Sequence, residues 1–268
     1  MFAFARRRAL AERSGSGEAR LSGVSRQAFA ARLAGMIVSV MLLPLLAGCL
    51  YPKEMRKENQ ASVMESLLLV QHAVDLYKEK NGVLPIKNFE VDTPIYEQYV
   101  LDMKKLSQGP YLGQVPGIAF ENGGKFLFVL VHAEQKPEVK LLDIAAFQKT
   151  GDLQRAVDDY KKAKNGEIPK GEEAGRNVFR LDFAKLGKKT EQVQSLYSRQ
   201  YLTFLIDGSG TVGIDYAPEV MQAMERKGMK SADGKTDLRE LLVADAPYVP
   251  VKSFPYYWLN NEPKPSAS

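Results

Sequence analysis

The chain has 268 residues, of which 45% are hydrophobic and 26% charged, so wholesale disorder, a fibrous repeat and a polytopic membrane protein are excluded. A single cysteine excludes an intramolecular disulfide framework and a cysteine-rich zinc site, and two histidines leave little for metal chemistry. The net charge of +5 comes from residues 1–48, which hold seven arginines and two glutamates. The rest of the chain is neutral, so a pI of 9.0 does not indicate a nucleic-acid partner.

Residues 24–48 have the composition of a secretory leader. Two arginines, Arg26 and Arg32, precede an apolar segment of 11 residues from Met36 to Leu46. At about 1.5 Å per residue this segment reaches roughly 16 Å, too short for a bilayer core of about 30 Å. We therefore predict a signal peptide over residues 1–48. Residues 1–23 either precede a true start near Val24 or form a long basic region of the leader.

The leader ends in Leu46-Ala47-Gly48-Cys49, which resembles the lipobox of bacterial lipoproteins. The resemblance implies cleavage between Gly48 and Cys49 and a diacylglycerol on the Cys49 thiol. It also implies a further acyl chain, such as palmitate, on the new amino group. Two or more chains give stable anchoring. The expected location is the extracytoplasmic face of the cell membrane.

Residues 49–60 are predicted to form a lipidated tether that leads into a helix from about Ala61 to Asn81. The helix is indicated by an apolar set spaced 4, 3, 4, 3: Val63, Leu67, Val70, Val74 and Tyr77. Asn81-Gly82 predicts a left-handed stop.

A second helix, from about Asp152 to Lys164, ends in a matching Asn165-Gly166. Residues 73–85 read AVDLYKEKNGVLP and residues 156–169 read AVDDYKKAKNGEIP. This similarity predicts a tandem repeat with a first unit over residues 61–144 and a second unit over residues 145–216.

Each unit continues into a predicted β-hairpin. The first pairs residues 126–131 with 139–143, and the second pairs residues 201–206 with 212–215, across an Asp207-Gly-Ser-Gly turn. We predict an α+β fold in which the two hairpins share one antiparallel sheet.

The C-terminal region, residues 217–259, is predicted to contain two helices and an extended strap. The helices are expected from Pro218 to Lys227 and from Asp237 to Val243, the latter capped by Thr236. The strap carries an aromatic cluster that either packs on the body or forms a patch for a partner: Phe254, Tyr256, Tyr257 and Trp258. Residues 260–268 are predicted to be disordered.

The sequence contains no recognised catalytic motif, and we predict no catalytic, cofactor or metal site. His72 is expected to be solvated and His132 to end a strand. The residues that recur in the repeat have structural interpretations. Asp75 and Asp158 would pair with Lys78 and Lys161, Asp102 and Asp182 would cap short helices, and Tyr77 and Tyr160 would be core anchors.

As a whole, the chain resembles uncharacterised lipoproteins of spore-forming Gram-positive bacteria. Locally, the sequence AVDLYKEKNGVLP resembles the helix-to-sheet junction of type II pseudopilins. The lipobox stands where a pilin would have its prepilin cleavage site.

These features predict a lipid-anchored extracytoplasmic protein with a non-enzymatic binding or assembly role. Its expected partners are the membrane, through Cys49, and an envelope protein or cell-wall component. Two alternatives remain at this stage. One is a hydrolase of cell-wall polymer that uses paired carboxylates, and the other is a pilin-like structural subunit.

Overall fold

The computed structural model describes residues 53–267, with side chains from Ser62 onward. The chain divides into residues 1–57 and 58–268, and the contacts below belong to the second part. The predicted signal peptide, the start near Val24 and Cys49 lie outside the described residues. Among the residues described, no helix is long and apolar enough to cross a bilayer.

The described chain alternates helices with antiparallel strands, so the predicted α+β class is confirmed. The helices are α1 (Lys53–Asn81), α2 (Met103–Ser107), α3 (Ile144–Ala163), α4 (Ala217–Arg226) and α5 (Glu240–Asp245). The strands are β1 (Phe126–Val131), β2 (Glu138–Asp143), β3 (Lys170–Gly175), β4 (Val178–Leu181), β5 (Val193–Gln194), β6 (Tyr201–Leu202), β7 (Phe204–Asp207), β8 (Val212–Ile214), β9 (Tyr256–Leu259) and β10 (Glu262–Pro265).

Helix α1 buries the predicted apolar face. Val63, Leu67, Val70 and Val74 are all less than a tenth exposed. The helix begins at Lys53, so part of the predicted tether is helical. It ends as expected, because Gly82 adopts a φ of +72° and donates its N–H to the carbonyl of Lys78 at 2.8 Å.

Helix α3 begins at Ile144, eight residues before its predicted start. Asp143 provides the reason, since its carboxylate accepts hydrogen bonds from the N–H groups of Ala145 and Ala146. Gly166, with a φ of +89°, follows the end of the helix as predicted.

The two hairpins do not share one sheet, so that part of the prediction was wrong. Strands β1 and β2 form one pair, and β7 and β8 belong to a four-stranded sheet of order β3-β4-β7-β8. Each hairpin is extended by its own unit. Val100 bridges Val129 of β1 in the first unit, whereas Arg180 of β4 pairs with Leu205 of β7 in the second. These in-unit partners occupy the edges of β1 and β7, while the C-terminal region bonds the edges of β2 at Leu141 and β8 at Ile214.

Strand β1 lies between two hydrophobic cores because its side chains alternate. Phe128 and Leu130 pack in the core that contains α1. Val129 and Val131 pack in the larger core that contains α3, β7 and α4. Because successive side chains of a strand point to opposite faces, the two faces of this hairpin pack in different cores and so connect the two units.

A glutamine ties the helix to the hairpin in each unit. Gln71 of α1 bonds Asp75 at 3.0 Å, donates to the carbonyl of Pro137 at 3.1 Å and accepts the N–H of Val139 at 2.8 Å. In the second unit the same three contacts, at 3.0, 2.9 and 2.7 Å, join Gln154 to Asp158, Gly210 and Val212. The aspartates thus orient glutamines, and in the described part of the chain neither forms its predicted lysine ion pair.

An aspartate cap is also repeated. Asp102 accepts the N–H groups of Lys104 and Lys105, and Asp182 accepts those of Ala184 and Lys185, as predicted. In each unit a lysine of the capped turn bonds the extended segment that follows the helix. Lys105 Nζ donates to the carbonyl of Ile86 at 3.1 Å, and Lys185 Nζ donates to that of Lys170 at 3.0 Å.

The repeated tyrosines are only half-buried, so the prediction that they anchor the core was wrong. Tyr77 packs edge-on against Tyr111 at 5.0 Å between ring centroids. Tyr160 keeps part of its ring in solvent, and desolvation together with Glu167 raises its pKa. Both lie near the C-terminal end of their helix.

Residues 217–267 close the larger core. Helix α5 begins at Glu240 and not at Asp237; Thr236 donates its N–H to Asp233 and does not cap the helix. Tyr256 is fully buried, which confirms the packed form of the strap. The predicted disorder after Asn260 was wrong. Asn260 and Asn261 adopt positive φ, and the turn they form pairs β10 with β9.

Candidate functional site

A cleft of about 320 Å³ opens on the first unit. Its volume is at the lower end of the range for small-molecule sites. The residues that line it come from the segment before β1, the β1–β2 turn and the start of α5: Ile95, Tyr96, Gln98, Tyr99, Val131, His132, Ala133, Glu134, Gln135 and Glu240.

The cleft is built from loops that are longer in the first unit than in the second. Ile86 and Leu101 pair across an intervening loop that is four residues longer than the loop between the equivalent pair, Lys170 and Leu181. The β1–β2 turn, residues 132–137, is two residues longer than the β7–β8 turn, residues 208–211. The connection before β1 is also longer, by four residues, but does not line the cleft. Loops that a rigid scaffold positions are where binding residues concentrate.

Three polar side chains meet at one wall of the cleft. His132 follows β1 with a φ of +52°, and its Nε2 lies 2.9 Å from Oε1 of Glu240. The hydroxyl of Tyr96 lies 3.5 Å from Oε2 of the same glutamate. Glu240 therefore joins both inserted loops to α5.

The loop that contains Tyr96 is fixed in place by contacts with the C-terminal region. Glu97 is buried and accepts hydrogen bonds from the backbone N–H of Lys252 at 2.6 Å and from its Nζ at 2.7 Å. Arg239, itself paired with Asp237 at 2.6 Å, stacks over the Tyr96 ring at 4.9 Å. Burial raises the pKa of Tyr96, so its hydroxyl is a neutral hydrogen-bonding group.

The remaining polar side chains of the cleft are available to a ligand. Among the residues that the structure describes, the side chains of Gln98, Glu134 and Gln135 have no hydrogen-bond or ion-pair partner. They surround an apolar floor that includes Val131 and Ala133, both buried. Ile95, at the rim, is 59% exposed. Apolar surface with a few unpaired polar groups is suited to binding.

The two histidines lie in different surroundings, and only one of them lines the cleft. His72 is exposed on α1, as expected, and does not line the cleft. His132 ends its strand, as expected, but it also pairs with Glu240, which sequence reasoning missed. No group of three acidic, histidine or cysteine residues within residues 53–267 could hold a metal ion.

A second unusual carboxylate, Glu219, is fully buried in the first turn of α4. Ser198 donates to its Oε1, while its Oε2 has no partner in the described structure. It does not line the cleft. At the equivalent place in the helix after β2 stands Ala146, so this buried carboxylate has no counterpart there.

Fold and cleft together define an α+β protein with a cleft of small-molecule size on one of two similar units. A model of the YphF family N-terminal domain matches residues 63–143, less than a third of the chain. The match begins at Val63, a buried residue of α1, and ends with β2, and it agrees with the resemblance to uncharacterised proteins of spore-forming bacteria. No curated protein and no solved structure matches the chain significantly.

Proposed function

We propose that the protein is a lipid-anchored, extracytoplasmic binding protein of the cell envelope and that the cleft is its binding site. The main support for a binding role is that the cleft lies where the first unit has longer loops than the second. The first unit adds residues at its two cleft-lining loops while keeping the contacts that hold the scaffold.

We also propose that the two units are copies of one ancestral unit. Equivalent glutamines and aspartates make equivalent hydrogen bonds, and both units place a helix before strands in the same order. On this proposal, the second copy supports the fold and the first copy carries the site.

The anchor rests on Leu46-Ala47-Gly48-Cys49 after an apolar segment of 11 residues. Changing Cys49→Ser should abolish incorporation of labelled palmitate and leave unprocessed precursor. Ser39→Ala, within the apolar segment, is the matched control and should be processed normally. Normal lipidation and processing of the Cys49→Ser chain would show that the anchor is wrong.

A cell-wall hydrolase is a second candidate because two carboxylates, Glu134 and Glu240, line the same cleft. A glycosidase needs one carboxyl group that protonates the leaving oxygen and one carboxylate that acts as base or nucleophile. Here Glu240 is already engaged by His132 and Tyr96. We therefore expect purified cell wall to release no fragments when incubated with the protein. Release that disappears in Glu134→Gln would favour the hydrolase instead. The pilin-like subunit stays a prediction.

A further inference from the structure

The charges around the cleft are unbalanced. Of its lining residues, His132, Glu134 and Glu240 can carry charge. His132 offsets Glu240 when it is protonated, because the two are in contact at 2.9 Å. Glu134 is exposed and has no ion-pair partner in the part of the chain that is described. The cleft is therefore negative whether or not His132 is charged.

The neighbouring cations do not reverse this balance. Arg239 forms an ion pair with Asp237 and Lys252 forms one with Glu97, so both are neutralised by their own partners. Lys136 lies on the same turn as Glu134 but does not line the cleft. A negative, partly apolar site disfavours anionic ligands and favours a positive charge on a small apolar body.

We propose that the cleft binds a small apolar ligand with a cationic head group, a proposal that rests on the binding function above. The apolar body contacts Ile95, Val131 and Ala133, which line the floor and rim. The cationic head lies against Glu134, which then gains the partner it lacks. The amides of Gln98 and Gln135 accept further hydrogen bonds from an ammonium group.

Three matched probes test the charge and shape of this ligand: cyclohexylammonium, cyclohexanol and cyclohexanecarboxylate. The full chain, reconstituted in nanodiscs, is titrated with each probe, and the methyl NMR signals of Ile95 and Val131 are followed. Empty nanodiscs give the correction for partition into lipid. We expect the ammonium to bind at least about fivefold more tightly than the carboxylate, with the alcohol between them.

The variant Glu134→Gln should bring the three affinities to within about twofold of one another. Glu172→Gln removes an exposed carboxylate of β3 that does not line the cleft, and it should leave the order unchanged. Tighter binding of the carboxylate than of the ammonium would overturn the cationic ligand while leaving the cleft as a binding site. If none of the probes shifted either methyl signal, the cleft would not be a site and the binding function itself would fail.

Discussion

The two units of this protein share their supporting contacts and differ in their loops. A glutamine bonds the helix to the last strand in both, and in both an aspartate caps a short turn that precedes the hairpin. The first unit alone extends the loop between Ile86 and Leu101 and the β1–β2 turn, and these two loops line the cleft. The comparison teaches that the scaffold tolerates added loop residues, provided that these residues do not include the ones that bond the glutamine or the aspartate.

The largest expected effects come from the matched phenylalanines of the two hairpins. Phe128 and Phe204 are each 1% exposed, in β1 and β7. Truncating either to alanine should lower the free energy of unfolding by about 3–5 kcal/mol, because it leaves a large cavity. Urea denaturation of the full chain measures the loss. A cost below about 1 kcal/mol at one position and not at the other would break the equivalence of the units.

The repeated glutamines should have the next largest effect. Gln71→Ala or Gln154→Ala leaves the N–H of Val139 or Val212 without its acceptor, at a cost of about 1–3 kcal/mol each. Gln148→Ala, on the exposed face of α3, is the control and should be close to neutral. Equal losses in both units support one shared mechanism of helix attachment, whereas a loss in only one would show that the likeness is superficial.

Alkaline pH should destabilise the protein through its buried tyrosines, of which Tyr96 lies in the first unit and the others lie in the second unit or the C-terminal region. Burial raises the pKa values of Tyr197 and Tyr216, as well as that of Tyr256 in the strap. These phenols ionise near pH 10 in the unfolded chain but stay neutral at that pH in the folded chain. Their contribution to the free energy of unfolding is therefore intact below about pH 10 and is lost as the pH rises above it. The free energy of unfolding should then fall by up to about 1.4 kcal/mol per pH unit for each tyrosine.

Denaturation at several pH values between 8 and 11 tests this slope. Tyr256→Phe should make the slope shallower, although it lowers stability at pH 8 because the hydroxyl bonds Asp215 and accepts the N–H of Tyr216. A free energy that stays constant up to pH 11 would contradict the burial of these phenols.

The smallest effects are expected at the two helix stops. Gly82 and Gly166 have positive φ, and a Cβ at either position would meet no atom within 4 Å. Alanine at each site should therefore cost about 1 kcal/mol from backbone strain alone. Gly151→Ala, inside α3, is the matched control and should raise the melting temperature. Unequal losses at the two stops would show that the helices end differently.

Local patterns predicted the elements that local forces determine. The spacing of Val63 to Val74, the Asn-Gly stops, the hairpins and the caps of Asp102 and Asp182 all follow from interactions within a few residues, and the structure has them. The early start of α3 was missed because Asp143 also ends β2, where the sequence pattern is that of a strand.

The cleft could not be predicted in the same way. Tyr96 and Glu240 are 144 positions apart, so no spacing or motif connects them. The role of Gln71 was missed because nothing in the neighbouring sequence indicates that a glutamine on a helix surface bonds a distant strand. The sheets were wrongly merged because the partner of each hairpin edge is a short segment, such as that around Val100, with little strand character of its own.

The central claim is that binding belongs to the first unit, and methyl NMR of the full chain in nanodiscs tests it most directly. Low-molecular-weight extract of the cell envelope is added, and the signals of Ile95 at the cleft are compared with those of Ile206 in β7. The account predicts that Ile95 shifts and Ile206 does not. Shifts confined to Ile206, or no shift at either residue, would contradict it.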